Sequence, residues 1–81
     1  MNNVQNIQFK PMMGRPNWSK AVSVDERYIM VLEKSEVGAI VSVFRINTTS
    51  TNDRVIREAG STNAAINRAL TLSSEYGIQF S

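Results

Sequence analysis

Cysteine and histidine are both missing from the 81 residues. Without thiols the chain forms neither disulfides nor thiolate metal sites, so its stability has to come from packing or from a partner. Without imidazole the most common general base and metal ligand is also gone, and the strongest side-chain nucleophile has gone with cysteine. The two absences weigh against hydrolase, redox and zinc chemistry. The expectation is a non-enzymatic protein with no catalytic residue, no metal and no cofactor.

Long apolar runs are missing too. No stretch approaches the ~20 residues that a membrane-spanning helix needs, and MNNVQNIQFK lacks the basic start and apolar middle of a signal peptide. A cytoplasmic location without a membrane partner is therefore expected. The triplets Asn17-Trp18-Ser19 and Asn47-Thr48-Thr49 match the glycosylation acceptor pattern, but are read as accidents of an Asn- and Ser/Thr-rich chain. An excess of charge of one sign is small: nine Lys/Arg against seven Asp/Glu give +2, too little to imply a nucleic-acid partner by itself. It is unevenly spread, at +3 over residues 1–24, −2 over 25–53 and +1 over 54–81.

What is present is a globular composition. At 42% hydrophobic and 20% charged residues, with the apolar positions in periodic segments, the chain should fold rather than remain disordered. Its length suits one domain over 1–81, organised as an N-terminal strand or arm with a Pro/Gly loop (1–19), an antiparallel sheet (20–60) and a helix (61–77).

In NVQNIQFK, apolar Val4, Ile7 and Phe9 stand among amides and permit a short edge strand. PMMGRPNW, with two prolines around Gly14, reads as a loop, since proline forbids a regular helix and a central strand. AVSVDERYIMVLEK places Val22, Val24, Tyr28, Met30 and Leu32 on alternate positions, with an interruption at Asp25 that reads as a turn closed by its carboxylate. Ser35 to Gly38 form a second reversal. AIVSVFRI then follows as a strand with Ile40, Ser42, Phe44 and Ile46 on one face and Ala39, Val41, Val43 and Arg45 on the other; neither face is clearly polar, which suggests a central strand covered at least in part on both sides.

NTTSTND is a polar reversal. RVIREA is favoured as a strand over a helical turn, with Val55, Arg57 and Ala59 opposite Arg54, Ile56 and Glu58. In STNAAINRALTLSSEYG, Ile66, Ala69, Leu70, Ser73 and Tyr76 form a helical stripe, widened by Ala65 and Leu72, with Asn67, Arg68, Thr71 and Ser74 toward water. Gly77 is placed to end the helix in the left-handed conformation, and Ile78 to fold back on it. The predicted fold is α+β: three to four antiparallel strands with one C-terminal helix packed on one sheet face. Strands first and an Ala-rich helix last is a layout similar in element order to small integrase-type DNA-binding domains and to small phage-encoded inhibitors such as anti-CRISPRs; no functional residue carries over from either.

Two stretches carry candidate chemistry. In QFKPMMGRPNWSK, Lys10, Met12, Met13, Arg15, Trp18 and Lys20 mix cations with stacking and deformable apolar groups. That mixture suits a protein interface and, ranked after it, a strand of nucleic acid, although Phe9 and Trp18 are first expected to close the open side of the sheet. At REAGSTNAAINRAL, Arg54 and Arg57 precede a helix start at Ser61 and Thr62, whose unpaired amides could bind a small anion or nucleotide; an ordinary Ser/Thr cap is the preferred reading. The carboxylate pairs Asp25/Glu26 and Glu33/Glu36 read as solvated turn charges.

The leading expectation is recognition of a protein partner, as by a phage-type inhibitor of a host or defence protein. A nucleic-acid-binding module is the alternative and anion sequestration the third. Pairing of the first strand with a second copy would give a homodimer.

Overall fold

The structure is a computed structural model that describes residues 7–46 and 53–80. Five strands, β1 (Lys10–Met12), β2 (Arg15–Val22), β3 (Tyr28–Ser35), β4 (Gly38–Arg45) and β5 (Arg54–Gly60), precede one helix, α1 (Thr62–Glu75). The strands form a single antiparallel sheet in chain order, β1-β2-β3-β4-β5. The α+β expectation holds, with five strands where three to four were predicted.

The additional strand comes from the segment read as a loop. Only Met13 and Gly14 turn; Pro11 and Pro16 both lie within strands, and the sheet begins at Lys10 rather than at residue 20. Proline excludes a chain segment from the middle of a sheet, where its missing N–H breaks the ladder, but not from an edge or the start of a strand. Pro11 is on the edge strand β1 opposite Ser19, beside an irregularity at Met12. Pro16 stands at the start of β2, before the first pair with β3, Trp18 with Glu33. Of the segment expected as an N-terminal strand or arm, residues 7–9 belong to no strand and Lys10 opens β1, with Ile7 buried in the core and Phe9 packed against it. Val4 and the polar reversal from Asn47 to Asn52, with its glycosylation-like triplet, lie outside the described residues.

The other turns follow their chemistry. Asp25 Oδ1 accepts a hydrogen bond from the Arg27 amide at 3.1 Å and another from the Ser23 hydroxyl at 2.7 Å. The Ser23 oxygen in turn accepts from the Tyr28 amide at 3.0 Å. Asp25 is held below its ordinary pKa first by the Ser23 hydroxyl and then by the Arg27 amide, because donors aimed at the carboxylate favour its ionised form. Glu36 and Val37 make the β3–β4 reversal, where Ser35 pairs with Gly38.

Alternation then sorts the sheet into two faces. Ala21, Met30, Leu32, Ala39, Val41, Val43 and Ile56 line one of them and meet Ala65, Ile66, Ala69 and Leu70 of α1; all are buried. Asn67, Arg68, Thr71 and Ser74 face water as predicted. Tyr76 does not complete the buried stripe: it is the C-cap and 62% exposed. The helix ends as its sequence requires. Gly77 takes φ 77, its amide donates to the Ser74 carbonyl at 3.0 Å, and the Ile78 amide donates to that of Ser73 at 2.7 Å, which satisfies carbonyls the helix leaves open. Ile78 and Phe80 then return to the core, with Phe80 bridging to Ser23.

At the other end of α1, Ser61 occupies the N-cap with extended backbone, and its carbonyl accepts from Ala65 at 2.9 Å. Its hydroxyl makes no capping bond, contrary to the expected cap. From the middle of the helix Arg68 reaches β5, where its Nε donates to Glu58 at 2.8 Å and its Nη2 donates to the Ala59 carbonyl at 2.6 Å.

Candidate functional site

With α1 on one face, no secondary-structure element of the described residues covers the other face of the sheet. Ser42 and Phe44 are nonetheless buried there, as is Val31. They form the floor of a hollow of about 470 Å³, walled by long side chains from all five strands. Met12 of β1 and Arg15 and Trp18 of β2 stand on one side, Arg54 and Arg57 of β5 on the other, and Glu33 and Ile40 at the end nearer the β3–β4 turn. Flat strands at ~4.8 Å spacing would set the outer two about 19 Å apart. One hollow shared by both edges therefore requires the twist natural to sheets, together with side chains that lean inward.

Arg54 reaches this wall because of a bulge. Val43 pairs with Ile56, yet Phe44 pairs with Arg54, so Val55 is an extra residue in β5. Simple alternation puts Arg54 on the Ile56 face, as the sequence reading did; the inserted residue carries it to the Arg57 face instead. Across the hollow, the Arg15 guanidinium lies over the Trp18 ring, 4.6 Å from its centroid. A cation over an indole is attracted by the ring quadrupole, and the pair presents a flat, delocalised, positively charged platform.

Electrostatics set this face apart. Lys20 shares it with Trp18 by alternation, and Lys10 pairs directly with Lys20. Five of the nine basic residues thus lie on it, with one of the seven acids, Glu33. Two lysines directly opposite each other destabilise a strand pair, so this edge of the sheet keeps an arrangement that does not serve folding. Among the described residues none of the five cations makes a salt bridge, and Glu33 has neither an ion pair nor a hydrogen bond.

The two sequence candidates therefore merge in part. Met12, Arg15, Trp18, Arg54 and Arg57 line one hollow, with Lys10 and Lys20 on the same face. Trp18 is half-buried on the open side of the sheet, but Phe9, expected to close that side with it, packs instead against the core under the helix, and Met13 is 100% exposed at the β1–β2 turn. Ser61 and Thr62 do not line the hollow, which separates them from the arginines grouped with them in the sequence reading. Glu33, Ser42 and Phe44 are site residues that the sequence reading did not select. The Ile40/Ser42/Phe44 face was legible, and what was missing was the knowledge that the helix covers the other one.

Asp25 and Glu26 are exposed in the β2–β3 turn, and Glu36 is exposed next to Val37. Among the described residues no group of three or more His, Cys, Asp or Glu is arranged to hold a metal ion, and no helix is long and apolar enough to cross a membrane. No protein-family model matches the sequence, and neither a curated protein nor a solved structure matches it.

Proposed function

We propose that the protein is a non-enzymatic binding module whose helix-free sheet face receives a single strand of nucleic acid. One observation carries this reading: Lys10, Arg15, Lys20, Arg54 and Arg57 gather on one face, with no acidic partner among the described residues, around a hollow that holds the chain's only tryptophan. Unpaired cations attract phosphates and release their counterions, while Trp18 with its stacked guanidinium gives an unpaired base a flat surface. A hollow of about 470 Å³ falls within the ~300–1,000 Å³ of small-ligand sites, so a splayed-out base fits it. The convex, fully stacked surface of a duplex cannot lower a base into it. This charge segregation is what moves the preference from a protein partner, first in the sequence reading, to a nucleic-acid strand.

The test is fluorescence anisotropy with short labelled single strands over a range of salt. With Lys10, Lys20, Arg54 and Arg57 each on a phosphate and Arg15 kept on Trp18, log K should fall against log salt with a slope of about −3, at ~0.7 per phosphate. Arg54→Ala with Arg57→Ala should weaken binding at least tenfold, while Arg68→Ala on the helix side should not. Absence of binding at low salt, or binding indifferent to the Arg54/Arg57 change, rejects the proposal.

A protein partner stays the second reading because Met13 and Val37, 100% and 94% exposed, project from the two turns at one end of the sheet. Exposed apolar tips beside an arginine–tryptophan pair are the composition of an interface centre. Retained partner capture by the Arg54/Arg57 variant, together with loss in a Met13→Ser, Val37→Ser variant, would favour it.

A further inference from the structure

Glu33 is the one acid on the cationic face, and its position is hard to reconcile with simple phosphate binding. It is half-buried on the wall of the hollow, opposite Trp18 across the β2–β3 pair and opposite Ile40 across the β3–β4 pair. Three arginines line the same hollow, yet none approaches Glu33 closely enough to form an ion pair. An ionised carboxylate accepts hydrogen bonds and donates none. Left in place against a polyanion it would repel phosphate and reduce affinity. It becomes favourable only when the ligand brings hydrogen-bond donors of its own to this side of the hollow and its phosphates to the other. A polar group that penalises every ligand lacking the complementary donor is a specificity device.

We infer that Glu33 selects the base held in the hollow and that the base it prefers is guanine. This rests on the single-strand reading above. Guanine alone among the common bases presents two parallel donors on one edge, N1–H and the N2 amino group, which match the two oxygens of one carboxylate; bidentate pairing of this kind is how side chains discriminate between bases. Adenine, cytosine and thymine or uracil each offer one donor at the corresponding edge, and an acceptor beside it would face the carboxylate. The stacking surface is at hand, because Trp18 is the cross-strand neighbour of Glu33 and carries the Arg15 guanidinium. Ser42 on the floor has a hydroxyl with no partner among the described residues, available to a further polar atom of the base. Arg54 and Arg57 then face the phosphates on the β5 side.

The experiment compares three labelled strands by anisotropy: all thymine, thymine with one central guanine, and the same with inosine, which keeps N1–H but lacks the amino group. Wild-type protein should bind the guanine strand roughly tenfold more tightly than the all-thymine strand, the order of discrimination of one good bidentate pair, with inosine between them. Glu33→Gln should erase the ranking and tighten binding of the all-thymine strand, because the repelling charge is gone; its thermal melt serves to confirm that it folds. A merely structural role for Glu33 would not move the guanine–inosine difference. Equal binding of the three strands by folded wild-type protein overturns the role of Glu33 while leaving the single-strand reading intact. A Glu33→Gln variant that keeps the guanine preference also overturns it. Failure of every strand to bind rejects both proposals together.

Discussion

Gly38 of β4 lies so close to the Gly60 carbonyl of β5 that a Cβ at position 38 would collide with that oxygen. The contact sits where Ala39 pairs with Gly60 and the chain leaves the sheet for the helix. Backbone cannot yield as a flexible side chain does, so Gly38→Ala should cost about 2–5 kcal/mol through overpacking and local strain. Val37→Ala, one residue earlier and 94% exposed, should stay within ~0.5 kcal/mol of wild type. Urea unfolding of the two variants measures the contrast, and equal costs would mean that the two strands can separate at this point without penalty.

Helix docking gives the second expectation. Ile66 and Leu70 are 3% and 5% exposed against the sheet, so truncating either to alanine should cost ~2–5 kcal/mol, from lost transfer energy and the cavity left behind. Tyr76→Ala, at the solvated C-cap, should cost far less. Comparable losses at the three positions would show that Tyr76 packs in solution as the helical stripe alone suggests.

The Lys10–Lys20 pair separates stability from binding. Replacing Lys10 with threonine removes a like-charge pair and adds a good strand former, and should stabilise the fold by ~0.2–1 kcal/mol. The same change should weaken binding of a single strand and make the salt slope shallower by ~0.7. A variant that loses stability as well as binding would identify Lys10 as part of the folding machinery.

Acid should act through Asp25. Its folded-state pKa lies below the ordinary 3.8, so the unfolded chain binds the proton more readily. The stabilisation from its hydrogen bonds is therefore fully present above about 3.8 and is lost as pH falls from there through the lower folded value. Asp25→Asn should be less stable than wild type at neutral pH, and the gap should close on acidification through that window. Paired urea titrations across the range check this; a gap that widens in acid contradicts the assignment.

Much of this architecture is legible one segment at a time. The period of AIVSVFRI, the turn-forming oxygen of Asp25, the helical spacing from Ala65 to Ser73 and the terminating Gly77 each act over a few residues, and each reads true in the fold. The prolines misled because their rule concerns position in the sheet, and no local pattern says that Pro11 falls on an edge. Arg54 misled for a related reason: the single residue that shifts its face is a bulge set by pairing with β4.

The sequence by itself determined the local elements, since hydrogen-bonding side chains, glycine and hydrophobic period act on their own neighbourhood of the chain. Only the tertiary structure decided that Met12, Trp18, Glu33, Phe44 and Arg57 share one hollow. Those residues come from five different strands, and their meeting depends on strand order, on sheet twist and on which face the helix occupies, all of which are settled by contacts between residues far apart in the chain.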